Sequence, residues 1–205
     1  MQKERKYMIK SKEDFIYFLQ EDRKHILEPY NILFDGKIKP NLIPRSEIEY
    51  IYKFQYMLRK LEYCLNCKNS GLISKIFTRI LEYRFFKFQI KTGMFIHPNC
   101  FGPGLAIKHI GPMVISGGVL IGKNCRIHPC VNIGVSGSDG KVGQLGDNLY
   151  LGNGCKIIGE VFLKDNVVVG AGAVVTKSFE ESDIVLAGVP AKIVSHKGSM
   201  EFPLF

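Results

Sequence analysis

Between Leu145 and Val175 an aliphatic side chain returns at every sixth position: Leu145, Leu151, Ile157, Leu163, Val169 and Val175. Four residues after each of the first five comes a small or aliphatic partner, namely Leu149, Cys155, Val161, Val167 and Ala173, with Gly, Asn and polar residues between them. A period of six fits neither the 3.6 of a helix nor the alternation of a plain strand. Short strands joined by tight turns satisfy it, three to a coil, so the repeat predicts a parallel β-helix with about 18 residues per coil. The same register runs upstream through Ile115, Ile121, Ile127 and Ile133, with Val119, Cys125 and Val131 in the fourth places.

Two interruptions mark where chemistry is free to sit, because regular coils only bury aliphatics. Between Ile107 and Ile115 the step is eight, which puts two extra residues into the corner Lys108-His109-Ile110-Gly111-Pro112. Between Ile133 and Leu145 the expected slot at 139 is Asp, within Ser136-Gly137-Ser138-Asp139-Gly140-Lys141, so this segment reads as an extruded loop. The site is expected at 108 to 112 and 135 to 144.

The repeat occupies only the second half of the 205 residues. Residues 1 to 93 hold 19 Lys and Arg against 11 Asp and Glu, so nearly all of the net charge of +9 lies there. Capping patterns at Ser11-Lys12-Glu13-Asp14 and Ser46-Glu47-Ile48-Glu49 open two helices, the first ending before Pro29, and a third covers Leu72 to Ile90. The expected class is α+β, with a helical region at 1–93, a β-helix at 94–197 bearing an inserted loop, and a tail at 198–205. Basic and aromatic residues alternate in Tyr83-Arg84-Phe85-Phe86-Lys87-Phe88, a pattern shared by anion-binding surfaces and ordinary amphipathic helices. The plainer reading is a bundle that caps one open end of the β-helix, with no nucleic acid partner. No apolar run reaches the roughly 18 residues that span a bilayer, and no signal-like segment follows the charged start, so a cytoplasmic location is expected.

Six cysteines raise the question of metal or disulfide. Cys125 and Cys155 fall in fourth-place core slots, where packing explains them. Cys64 and Cys67 make a single CxxC without a second pair, short of a zinc site, so no metal is expected.

Gly102-Pro103-Gly104-Leu105-Ala106-Ile107-Lys108-His109, then Val114-Ile115, then Ala187-Gly188-Val189-Pro190-Ala191-Lys192-Ile193-Val194 resemble the serine acetyltransferase branch of the hexapeptide-repeat acyltransferases. The resemblance covers about residues 95 to 197. It implies a left-handed β-helix, a homotrimer with active sites between subunits, and acetyl-CoA as co-substrate. His109 aligns with the family's catalytic base, the residue type suited to removing a hydroxyl proton near neutral pH. Positions matching the acetyl-CoA groove are Gly134, Val135, Gly152, Asn153, Gly170 and Ala171, each Gly serving equally as a repeat turn residue. Lys177 and Lys192 are expected partners of the CoA phosphates.

The chain also departs from that branch. Phe95 stands where the resemblance places the Asp that orients the base, Lys108 where it places an acceptor-binding Asp, and Lys141 and Val142 where it places an Arg-His pair. A serine zwitterion needs a carboxylate for its ammonium, and the sequence reads as having lost it. The expectation from sequence is therefore a saccharide O-acetyltransferase of surface-polysaccharide biosynthesis, with Lys108 and Lys141 binding an acidic saccharide acceptor and with peripheral association with a membrane-bound glycan assembly. Serine O-acetyltransferase is the alternative. A γ-class carbonic anhydrase, which shares the β-helix, is a remote third reading, with His97, His109 and His128 as the available ligands.

Overall fold

The computed structural model describes residues 7–27, 39–67, 71–137 and 140–201. Three helices come first: α1 (Lys12–Leu27), α2 (Glu47–Asn66) and α3 (Leu72–Thr92). Ser46 caps α2, its side chain accepting from the Glu49 amide. Glu49 does not close the capping box as its sequence spacing suggests. Its carboxylate instead accepts from the Arg45 amide and the Asn41 side chain, tying down the preceding loop. Of α3 only Leu81, Phe85 and Thr92 are buried. Ile73, Ile76, Phe77, Ile80 and Tyr83 are exposed, with Lys60 over the Phe77 ring and Lys87 over the Tyr83 ring. No helix among those residues is long and apolar enough to cross a membrane.

Fourteen short strands follow: β1 (Met94–Ile96), β2 (Ala106–Ile107), β3 (Met113–Ile115), β4 (Leu120–Ile121), β5 (Arg126–Ile127), β6 (Asn132–Gly134), β7 (Gln144–Leu145), β8 (Tyr150–Leu151), β9 (Lys156–Ile158), β10 (Phe162–Leu163), β11 (Val168–Val169), β12 (Val174–Val175), β13 (Val185–Ala187) and β14 (Lys192–Ser195). They form three sheets that the chain visits in rotation. The first sheet is β1-β3-β6-β9-β12, the second β4-β7-β10, and the third β2-β5-β8-β11-β13 with β14 at its edge. Every pairing is parallel except β13 with β14. The antiparallel β14, from the terminal Gly188-Val189-Pro190 turn onward, lies along what would otherwise be an open edge.

The strand register reproduces the sequence period. Ile115 pairs with Ile133, Leu145 with Leu163, and Ile157 with Val175, each 18 residues apart. Ile107 pairs with Ile127, 20 apart, which absorbs the two extra residues of the His109 corner. Ile133 pairs with Ile157, 24 apart, so the loop after β6 adds six residues without shifting the register. All the sixth-place and fourth-place residues from Ile115 to Val175 are buried in one contiguous core. One corner is held by a ladder of side-chain amides: Asn124 donates to Asn148, Asn148 to Asn166 and Asn166 to Asp183, each at 2.9 Å. All four residues adopt the left-handed backbone. Asn and Asp tolerate that conformation best after Gly.

The helical region closes the first coil through a buried polar joint. Arg59, fully buried, donates from Nε and Nη2 to Asp22, from Nη1 to Glu62, and from Nη1 and Nη2 to the carbonyls of Phe101 and Gly102. That uses all five guanidinium donors. Asp22 Oδ1 accepts from the amides of Gly104 and Leu105, and Glu62 accepts from the Asn99 amide. Burial pushes the Arg59 pKa down, and the adjoining Asp22 and Glu62 carboxylates more than reverse this, keeping the guanidinium charged.

Candidate active site

The rotation of strands decides which candidate residues can meet. Residues leaving the third sheet stack along one edge, because Ile107, Ile127, Leu151 and Val169 pair in succession. Lys108, His128, Gly152 and Gly170 continue that ladder, each amide donating to a carbonyl of the next coil at 2.8–3.0 Å. His109, Asn153 and Ala171 follow on the same edge. Gly134 and Val135 leave the first sheet at β6, and Lys177 follows β12 of that sheet, so these three lie at its far side together with the loop bearing Lys141. The width of a three-residue strand, roughly 10 Å, separates the two edges within one chain. Lys192 sits apart from both, exposed on the edge strand β14. The proposed cofactor positions thus fall into two groups with Lys192 outside both, and counting hexads modulo three would have separated the two groups.

His109 projects from the bulged corner, its side chain 57% exposed. Its Nδ1 lies 3.3 Å from Glu47 Oε2, and the Ile110 amide donates to Glu47 Oε1 at 2.9 Å. Glu47 is the first residue of α2, so the carboxylate beside His109 comes from the helical region, 62 positions upstream. That amide, more than the imidazole, holds the Glu47 carboxyl below its ordinary value. Sequence reasoning treated Glu47 as part of a helix cap and missed it. The available signal, an acidic first turn, is common to many helices.

Lys108 is buried, with only 6% of its surface exposed. Lys141 is exposed and pairs with Glu160 at 2.7 Å. Phe95 and Val114 are neighbours on the outer face of the first sheet, both partly exposed. His128 is half-buried, its ring 6.4 Å from His109 and 5.1 Å from Tyr150. Burial, then the charges of Lys108, His109 and Arg126, push the His128 pKa down to about 4. A histidine with a folded-state pKa below its unfolded value binds fewer protons when folded. Its contribution to stability is complete above about 6.5 and disappears as pH falls toward 4. The denaturation midpoint is expected to drop over that window, and His128→Leu, which cannot be protonated, is expected to flatten the drop. Equal pH slopes for the two proteins would show that His128 is not responsible.

Gly152 has a structural reason to be glycine besides any ligand. A Cβ there would lie 2.7 Å from the Ala171 amide nitrogen and 2.8 Å from the Val169 carbonyl oxygen, both main-chain atoms of the next coil. Gly152→Ala is expected to lower stability by about 1–3 kcal/mol through overpacking, read as a lower melting temperature of the ligand-free protein. An unchanged melting temperature would contradict that close approach.

A hollow of about 570 Å³ runs along the second sheet with Tyr7 among its walls, and His109 is not one of them. Asp147 there already accepts from the Tyr7 hydroxyl and the Lys123 amide. The chemistry-bearing corner is instead an open edge. Among the described residues no three His, Cys, Asp or Glu side chains gather as a metal site. Cys125 and Cys155 are buried neighbours in the core, where burial raises the Cys155 thiol to about 12 and the Cys125 thiol further.

The fold superposes on solved serine acetyltransferases. A serine acetyltransferase in complex with cysteine superposes with a TM-score of 0.72 at 21% identity, over 95% of this chain and 70% of that one. The Neisseria gonorrhoeae serine acetyltransferase in complex with serine superposes with a TM-score of 0.65 at 25% identity, over 90% of this chain and 71% of that one. In sequence, the chain is 32% identical over 119 residues to the serine acetyltransferase of Synechococcus elongatus, 57% of this chain and 48% of that protein. It is 36% identical over 110 residues to that of Staphylococcus epidermidis, 52% of this chain and 51% of that protein. The chain therefore spans about half the length of these curated relatives. No protein-family model matches it.

These relatives overturn the saccharide acceptor expected from the sequence. At 32–36% identity the relatives are serine acetyltransferases, and so are the structural neighbours. Two residues of that reading can be placed. Lys108 is buried and Lys141 is exposed and paired with Glu160. A carboxylate does stand beside His109, supplied by Glu47, but it faces the imidazole and the Ile110 amide rather than an acceptor ammonium.

Proposed function

We propose that this chain is an acetyl-CoA-dependent O-acetyltransferase with the hydroxyl of L-serine as acceptor, built on a left-handed parallel β-helix. The observation that carries this reading is the 32–36% identity to serine acetyltransferases over 52–57% of the chain. Two neighbouring serine acetyltransferase structures hold coenzyme A, in keeping with acetyl-CoA as the donor. The working units are residues 1–93, 94–197 and 198–205.

His109 acts as general base. As the serine oxygen attacks the thioester carbonyl, a C–O bond forms and His109 Nε2 takes the hydroxyl proton. Backbone amides at the edge stabilise the tetrahedral oxyanion. Its collapse breaks the C–S bond, and the departing thiolate recovers the proton from the imidazolium, leaving O-acetylserine and CoA. No acyl-enzyme is required. Gly152, Asn153, Gly170 and Ala171 share the edge with His109, whereas Gly134, Val135, Lys177 and Lys141 share the other. A trimer, in which the loop edge of one subunit faces the His109 edge of the next, would bring the two groups into one groove.

Lys108 and Val142 differ in chemistry from the acceptor-binding residues the resemblance places there, so serine is expected to bind with a high KM. Thiol release from acetyl-CoA tests the reading directly. Saturable turnover with L-serine supports it, and no turnover at any serine concentration contradicts it.

A further inference from the structure

The neighbourhood of His109 contains one group that neither the repeat nor the resemblance assigns. Glu47 presents one carboxylate oxygen to the His109 Nδ1 and the other to the Ile110 main-chain amide. The second contact fixes the rotation of the carboxylate, because the amide belongs to the residue next to His109 on the same bulged corner. An ionised carboxylate only accepts hydrogen bonds, so the ring nitrogen facing it must carry the proton. The other nitrogen, Nε2, is then left with its lone pair free.

We propose that Glu47 is the positioning residue for His109, holding it as the Nδ1–H tautomer with Nε2 available as base, and that it does so from the helical region rather than from the β-helix. The proposal rests on the reading of His109 as the base. It assigns to α2 a role beyond covering the first coil. The helix that delivers Glu47 at its first residue also carries Gln55, Arg59 and Glu62, which anchor it to Leu105, Phe101, Gly102 and Asn99. Seating of α2 therefore sets the orientation of the base. Phe95, where the resemblance places the orienting Asp, is left free to be apolar.

Substitutions at Glu47 separate this role from a merely structural one. In Glu47→Gln the carbonyl oxygen can still accept from the Ile110 amide, which turns the NH2 group toward His109 Nδ1. An N–H facing Nδ1 demands a lone pair there and moves the ring proton to Nε2, which removes the base. Glu47→Gln is thus expected to be worse than Glu47→Ala, although Gln is the closer isostere. Glu47→Asp retains a carboxylate and is expected to recover part of the turnover lost in Glu47→Ala.

The experiment is long-range 1H–15N correlation on 15N-histidine-labelled full-length protein, at alkaline pH where imidazole is neutral. The His109 signals are assigned with His109→Gln, and acetyl-CoA turnover with L-serine is measured in parallel. Expected are an Nδ1–H tautomer in the wild type, a mixture in Glu47→Ala and an Nε2–H tautomer in Glu47→Gln. Turnover should fall at least tenfold in Glu47→Ala and further in Glu47→Gln, with KM for acetyl-CoA unchanged and melting temperatures close to wild type. A wild-type Nε2–H tautomer, or one that persists unchanged in both variants, would overturn the proposal, as would undiminished turnover in Glu47→Gln. If the wild type never turns over serine but the tautomers shift as stated, the acceptor reading fails and the positioning role of Glu47 stands.

Discussion

Arg59→Leu is expected to destabilise the protein by about 3–5 kcal/mol, the range found when one partner of a buried ion pair is removed. The cost arises from what remains. Asp22 and Glu62 would stay in the joint between α1, α2 and the first coil with their carboxylates unpaired, and the Phe101 and Gly102 carbonyls would lose their donors. Arg59→Lys is expected to fall between Leu and wild type, since an ammonium offers three donors from one point and cannot reproduce five from a planar fork. Urea denaturation of the three proteins measures this. A shift corresponding to less than about 1 kcal/mol for Arg59→Leu, the scale of a surface ion pair, would mean that the joint is solvated. Because α2 also carries Glu47, Arg59→Lys is expected to lose activity as well as stability.

His109→Ala is expected to lower kcat by about 10²–10⁴, the usual contribution of a positioned general base. Its side chain is more than half exposed and packs into no core, so the melting temperature should hardly change. That contrast matters, because Arg59 variants should lose stability first and His109 variants activity alone. Retained turnover in His109→Ala would place the base elsewhere. His128 would be the nearest alternative, a half-buried imidazole held neutral down to about pH 4.

The regular part of the fold was legible because its cause is local and periodic. Every aliphatic slot from Ile115 to Val175 is buried, and the steps of eight after Ile107 and twelve after Ile133 return as 20-residue and 24-residue pairings. The bulged corner was visible for the same reason: it is a break in a period. What the sequence concealed is non-local. Glu47 is one of many acidic residues at a helix start until α2 is docked, and only docking places it against a residue 62 positions away. Arg59, Asp22 and Glu62 read as ordinary helix-surface charges, yet they are fully buried because the first coil supplies carbonyls and amides that match them. Lys108 is another case: a residue beside an exposed His at a bulge can be exposed or covered, and here it is buried. The saccharide expectation came from reading three substituted positions in isolation, and the serine acetyltransferase relatives overturn it.

The most direct test of the reaction is to supply the purified protein with L-serine and acetyl-CoA labelled with 13C in the acetyl group and to follow the label by NMR. Transfer at the His109 corner predicts a labelled ester on the serine oxygen in the wild type, formed together with free CoA, and essentially none in His109→Ala. Label that stays on CoA in the wild type, or an ester that forms equally fast without His109, would contradict it.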